Sequence, residues 1–203
     1  MTKTLFSISW VVVAALAVLV AVASARYFII SLELAAPPDL FAAVSQKPFV
    51  FYAHVTGGIV ALFVGAWNFL QVSRRRFLFL HRCLGRIYLV SVMIGGLAGL
   101  SLATTAQGGL AGKIGFSMLA VLWLATAGMA YYRVKNYDIA LHRQWMVRNY
   151  ALTFAAVTLR IWIPLLIGLA GYSFQEGYAA IAWTSWVPNL ILAEFVLRRP
   201  VEI

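Results

Sequence analysis

The chain has 203 residues, 63% of them hydrophobic and 11% charged, with a formal net charge of +10. A soluble domain is about 45–50% apolar and about 25% charged, so this composition excludes an ordinary soluble domain and indicates an integral membrane protein. The single cysteine, Cys83, rules out an internal disulfide and a CxxC metal site.

In chain order, six apolar runs stand out, at about 5–25, 49–72, 84–105, 111–132, 146–170 and 178–197. Each is close to the ~20 residues that cross a ~30 Å hydrocarbon core at about 1.5 Å per residue. The runs are continuous rather than alternating, which excludes a β-barrel. The first run imitates a signal peptide, with Lys3 before it and Ala23-Ser24-Ala25 at its end, but it is long enough to span and is read as a transmembrane helix. The expected fold is a single all-α domain over residues 1–203, a bundle of six transmembrane helices.

The charges between the runs set an orientation. Arg74, Arg75, Arg76, Arg82 and Arg86 lie between or at the edges of the second and third runs. Arg133, Lys135, Arg143 and Arg148 flank the fourth-to-fifth connection, and Lys3, Arg198 and Arg199 mark the termini. In a six-span chain all of these fall on one side. The other side has Arg26, Lys47 and Lys113, with Glu33, Asp39 and Glu176. The positive-inside rule then puts both termini in the cytoplasm. Basic residues gathered at helix ends describe topology, and they form no groove for nucleic acid.

Small residues recur at spacing four, at Gly57, Ala61 and Gly65 in the second run and at Gly95 and Gly99 in the third. Lipid offers no hydrophobic push between helices, so such seams allow close backbone approach. His54 precedes Gly57 by three, which places it on the same helical face. Pro164 leaves the Arg160 carbonyl without a donor, and Pro188 does the same to Thr184, with Asn189 beside it. Glu194 stands four before Arg198, a spacing that suits an ion pair.

Two stretches echo one another: Leu80-His81-Arg82 followed by Arg86 and Tyr88, and Leu141-His142-Arg143 followed by Arg148 and Tyr150. They hold two of the three histidines, both at helix entrances on the cytoplasmic side. Imidazole is a good ligand for iron, copper or zinc, and two histidines on facing helices can supply both axial positions of a b-type haem. Arg82, Arg86, Arg143 and Arg148 would then pair with propionates. The alternative is that these are interfacial anchors whose arginines reach lipid phosphates. His54 lies about five residues inside the second run from its outer end, roughly 8 Å deep, and Arg160 about ten residues inside the fifth, about 15 Å deep. No acidic residue shares that stretch of any run, so the missing anion of Arg160 is a candidate ligand: a propionate, a quinone oxygen or a phosphate. An arginine that bonds freed carbonyls or extends outward is the competing account.

The stretches AHVTGGIVALFVGAWNF, HRCLGRIYL and HRQWMVRNYALTFAAVTLR resemble the bacterial membrane family catalogued as domain of unknown function 2306. The likeness runs from about Phe49 to Leu166. It rests on His54 and the glycines after it, His81-Arg82 with Gly85-Arg86 and Tyr88, His142-Arg143 with Trp145-Met146 and Arg148, and Arg160. More distantly the chain resembles the cytochrome b-561 group, six-helix proteins that hold two haems between helices two and four and between helices three and five. That resemblance implies one haem at most here, between His81 and His142, because the fourth run has no histidine.

Three functions follow as expectations. The first is a bacterial inner-membrane, multi-pass protein that binds haem b or a related redox cofactor for electron transfer, with a redox partner protein or a quinone. The second is a cofactor-free assembly factor, partner subunit or lipid-binding module touching anionic headgroups, with self-association open to it. The third is a small transporter with an anion or quinone site at His54 and Arg160.

Overall fold

The computed structural model describes residues 3–70 and 76–198, with side chains from Trp10 onward. Arg74, Arg75 and Arg199, counted in the charge bias, lie outside these residues, as do positions 71–72 at the end of the second apolar run. Among the described residues every regular element is helical. Six stretches are long and apolar enough to cross a membrane: Trp10–Ile29, Pro48–Asn68, Leu78–Ala103, Gly109–Lys135, Ile139–Leu169 and Phe174–Arg198. These are the six spans of the bundle.

The third and fifth helices begin earlier than their apolar runs, at Leu78 and Ile139. The echoed stretches are therefore the first turns of long helices rather than entrances to them. A charged turn at a membrane interface stays helical because its side chains reach water while its backbone bonds remain internal. The Asp138 carboxylate caps the fifth helix, accepting from the Leu141 N–H at 3.0 Å.

The first span ends in a separate short helix, Arg26–Ile29, and between it and the second span the chain forms the short helices Leu32–Ala35 and Pro38–Val44. Pro38 opens the last of these in the first-turn position that proline favours. Their apolar side packs as a cluster of Tyr27, Ala35, Ala36, Val44 and Phe51. Lys47 closes the segment by donating from Nζ to the Ser101 carbonyl and Thr104 Oγ1, each at 3.0 Å, which satisfies the end of the third span.

The second and third spans are in the closest contact. A Cβ on Gly57 would lie 2.6 Å from the Ser91 carbonyl oxygen and 2.7 Å from the Gly95 Cα, so the small-residue seam joins these helices as its spacing suggests. The fifth span is broken at Phe154, resumes as Ala155–Ile163 and ends in a π-helical segment, Pro164–Leu169. The sixth breaks between Phe174–Thr184 and Val187–Arg198. Here the carbonyl released by Pro188, that of Thr184, accepts from the Trp162 indole N–H at 3.1 Å. Asn189 donates to Thr158 Oγ1 at 3.1 Å and to the Ser185 carbonyl at 2.9 Å, and Thr158 Oγ1 donates to the same carbonyl.

One expected pair is replaced. Glu194 does not pair with Arg198 along its own helix; it takes Arg148 of the fifth span, with Nε at 2.5 Å and Nη2 at 3.0 Å. The bidentate match across helices outcompetes a single contact along one helix.

Candidate functional site

The two tyrosines of the echoed stretches are core residues. A Cβ on Gly65 would collide with both rings, meeting Tyr150 Cε2 and, at 2.8 Å, Tyr88 Cε2. The repeat thus delivers one tyrosine from the third span and one from the fifth onto the same bare stretch of the second. The Tyr88 hydroxyl donates to Asn149 Oδ1 at 2.6 Å and contacts Thr153 Oγ1 at 2.8 Å. Trp123 donates to Thr153 Oγ1 at 2.8 Å, and Asn149 donates to the Trp123 carbonyl and to Thr126 Oγ1, both at 2.7 Å. Tyr88 and Asn149 are fully buried. This polar knot ties the third, fourth and fifth spans together where lipid can satisfy none of its groups.

At the arginine-rich end, His142 Nδ1 lies 2.8 Å from the Ala130 carbonyl. A carbonyl only accepts, so Nδ1 carries the proton and Nε2 is left to accept or ligate. His81 lies in the first turns of the third span, partly buried. Arg82, Arg86 and Arg143 are exposed. Arg148 is committed to Glu194, and its guanidinium stacks on Trp145 at 4.8 Å from the ring centroid. Among the described residues no three His, Cys, Asp or Glu side chains gather in a metal-binding group.

The opposite half of the bundle holds a cavity of about 500 Å³ that contains both His54 and Arg160. It is lined by Trp123 and Thr153 of the polar knot and by Pro37, Leu40 and Gln107 of the connecting segments. The His54 ring is held against the third span: Nδ1 donates to the Gly95 carbonyl at 2.8 Å, and a Cβ on Gly99 would come within 3.0 Å of Nδ1. Glycine at 99 is what leaves room for the imidazole. The Gly95 bond again fixes the proton on Nδ1 and leaves Nε2 without a hydrogen-bond partner among the described residues.

Arg160 donates from Nη1 to the Ala156 carbonyl and from Nη2 to Ser24 Oγ, each at 2.8 Å, and Ser24 Oγ donates on to the Val20 carbonyl at 2.7 Å. These bonds tie the fifth span to the first and leave its remaining N–H donors without a protein acceptor among the described residues. Arg26 lines the same cavity, its guanidinium over the Tyr27 ring at 5.0 Å and Nη2 at 3.2 Å from the Tyr27 hydroxyl. Arg26 is exposed, whereas Arg160 is half-buried. Among the described residues, no lining side chain is acidic.

His54 and Arg160, proposed from sequence as a pair, are therefore brought to one cavity, with no direct hydrogen bond between them. Sequence reasoning missed Arg26 and Trp123 as lining residues and Ser24 as the acceptor that holds Arg160. A signal existed for Arg26, which is a cation on the side that the charge bias leaves nearly empty.

A helical bundle with six spans and a cation-lined cavity in one half is the class of membrane protein defined by this arrangement. A family model described as "Predicted membrane protein (DUF2306)" matches residues 51–197, and the chain belongs to that family. The match takes in His54, the polar knot and Arg160. No curated protein and no solved structure matches the chain.

Proposed function

We propose that this protein binds an anion, free or at the head of an amphiphile, in the cavity shared by His54 and Arg160, as a lipid-binding or transport component of the membrane. One observation carries the reading: a guanidinium within a span faces a cavity with no carboxylate among the described lining residues. A charge held in a low-dielectric setting is costly unless paired, and an intramembrane cation whose protein partners are all neutral points to an anionic ligand. The volume falls within the roughly 300–1,000 Å³ of small-molecule sites, and the walls are largely apolar, which suits a tail below or beside a charged head. With the arginine-rich end in the cytoplasm, the cavity lies in the outer half of a bacterial inner membrane.

The test is thermal unfolding of the protein in nanodiscs with decanoate, decyl phosphate or decyltrimethylammonium. The anions raise the melting temperature and the cation does not, because a ligand of the native state stabilises by mass action. Arg160→Gln removes the anion effect. Equal shifts from the cation, or full shifts in Arg160→Gln, would sink the reading.

A second reading has one observation behind it. The His142 Nδ1–H bond to Ala130 is the anchoring that axial histidines use, and a haem held by His142 and His81 would supply one-electron transfer. Arg148 fits the propionate role poorly, since Glu194 occupies it. An optical spectrum before and after dithionite decides: sharp reduced bands lost in both His81→Ala and His142→Ala would establish the haem.

A further inference from the structure

We infer that the ligand of this cavity carries a phosphomonoester head, on a lipid or on a free phosphate compound, rather than a carboxylate; this rests on the anion-site reading above. Two features of the cavity separate the two heads.

The first is charge. Arg160 and Arg26 both line the cavity, and among the described residues neither has a carboxylate partner. Their bonds go to neutral acceptors, the Ala156 carbonyl, Ser24 Oγ and the Tyr27 hydroxyl. A monoanion would leave one cation of the pair uncompensated, whereas a phosphomonoester approaches two negative charges near neutral pH. Its three terminal oxygens also match two guanidinium forks at once, which a two-oxygen carboxylate does only by sharing atoms.

The second is the proton on His54. Because the Gly95 carbonyl holds Nδ1–H, the cavity meets Nε2. A neutral imidazole presents a bare acceptor there, and a carboxylate has no hydrogen to give it. The P–OH of a phosphomonoester monoanion donates to Nε2; if that proton passes across, the O–H bond breaks as an Nε2–H bond forms, and the dianion then accepts from the imidazolium.

The experiment is equilibrium binding to the full chain in phosphatidylcholine nanodiscs, whose own headgroup is a diester, with decyl phosphate, decanoate and inorganic phosphate as probes. Decyl phosphate binds at least about tenfold more tightly than decanoate, the effect expected of one additional charge-assisted hydrogen bond. Arg26→Gln reduces affinity for decyl phosphate by a larger factor than for decanoate, and Arg26→Lys, which keeps the charge, recovers part of the loss. If inorganic phosphate displaces decyl phosphate, the head alone suffices and free phosphate compounds are ligands; if it fails to, the tail is required and the source is a lipid. Equal affinity for the two decyl probes, or an Arg26→Gln variant with the full phosphate preference, overturns the phosphomonoester assignment while the anion site stands. Failure of both decyl probes to bind overturns the anion site itself.

Discussion

Single residues in this protein divide into those that hold the bundle and those that face its cavity. Tyr88 and Asn149 belong to the first group, being fully buried and bonded to each other and to Thr153, Trp123 and Thr126. Tyr88→Phe keeps the ring against Gly65 and removes only the hydroxyl. Reversible unfolding in mixed micelles should show a loss of about 0.5–2 kcal/mol, the span of measured hydrogen bonds within membranes and buried sites. Asn149→Ala should cost more, because it removes the bonds to the Tyr88 hydroxyl, the Trp123 carbonyl and Thr126 Oγ1 together. A Tyr88→Phe protein as stable as the parent would show that the knot is replaceable. In the second group, His54 and Arg160 were legible in the sequence because an ionisable residue inside an apolar run is conspicuous. Ser24 was not: serine is common in apolar helices, and only the bond from Arg160 Nη2 gives it a role.

At the scale of elements, the kink of the sixth span is compensated by the fifth. Trp162 serves the carbonyl that Pro188 strands, and Asn189 bridges to Thr158. Pro188 announced the defect, yet the residue that repairs it lies on a different helix and has no fixed sequence spacing. The Arg148–Glu194 pair makes the same point. The four-residue spacing suggested Glu194 with Arg198, but the bidentate partner comes from 46 positions away. With side chains 19% and 35% exposed, this pair is worth less than a buried one. A double-mutant cycle with Arg148→Met and Glu194→Gln should return a coupling of about 0.5–1 kcal/mol. A coupling indistinguishable from zero would assign the contact to geometry without energy. The short helices Leu32–Ala35 and Pro38–Val44 escaped the apolar-run reading because Glu33 and Asp39 interrupt their hydrophobicity. Their apolar side becomes visible only against Tyr27 and Phe51.

For the whole molecule, orientation decides which compartment meets the cavity. In a Cys83→Ser background, Ser45→Cys and Asn136→Cys each place one thiol on an exposed residue at opposite ends of the bundle. A membrane-impermeant maleimide added to intact spheroplasts should label position 45 and leave position 136 unlabelled until the cells are opened, as the positive-inside rule requires. The reverse pattern would turn the cavity toward the cytoplasm. The sequence by itself determined that the chain is helical, that it spans six times and that one end is basic, because hydropathy, span length and loop charge are local properties written in consecutive residues. It also singled out His54, Arg160 and the glycine seam. Only the tertiary structure decided that Arg26 joins Arg160, that the echoed tyrosines meet at Gly65 and that Glu194 belongs to Arg148. These are contacts between helices, set by the rotation and offset of each helix against its neighbours, and in a lipid-like setting many alternative offsets satisfy the same hydropathy.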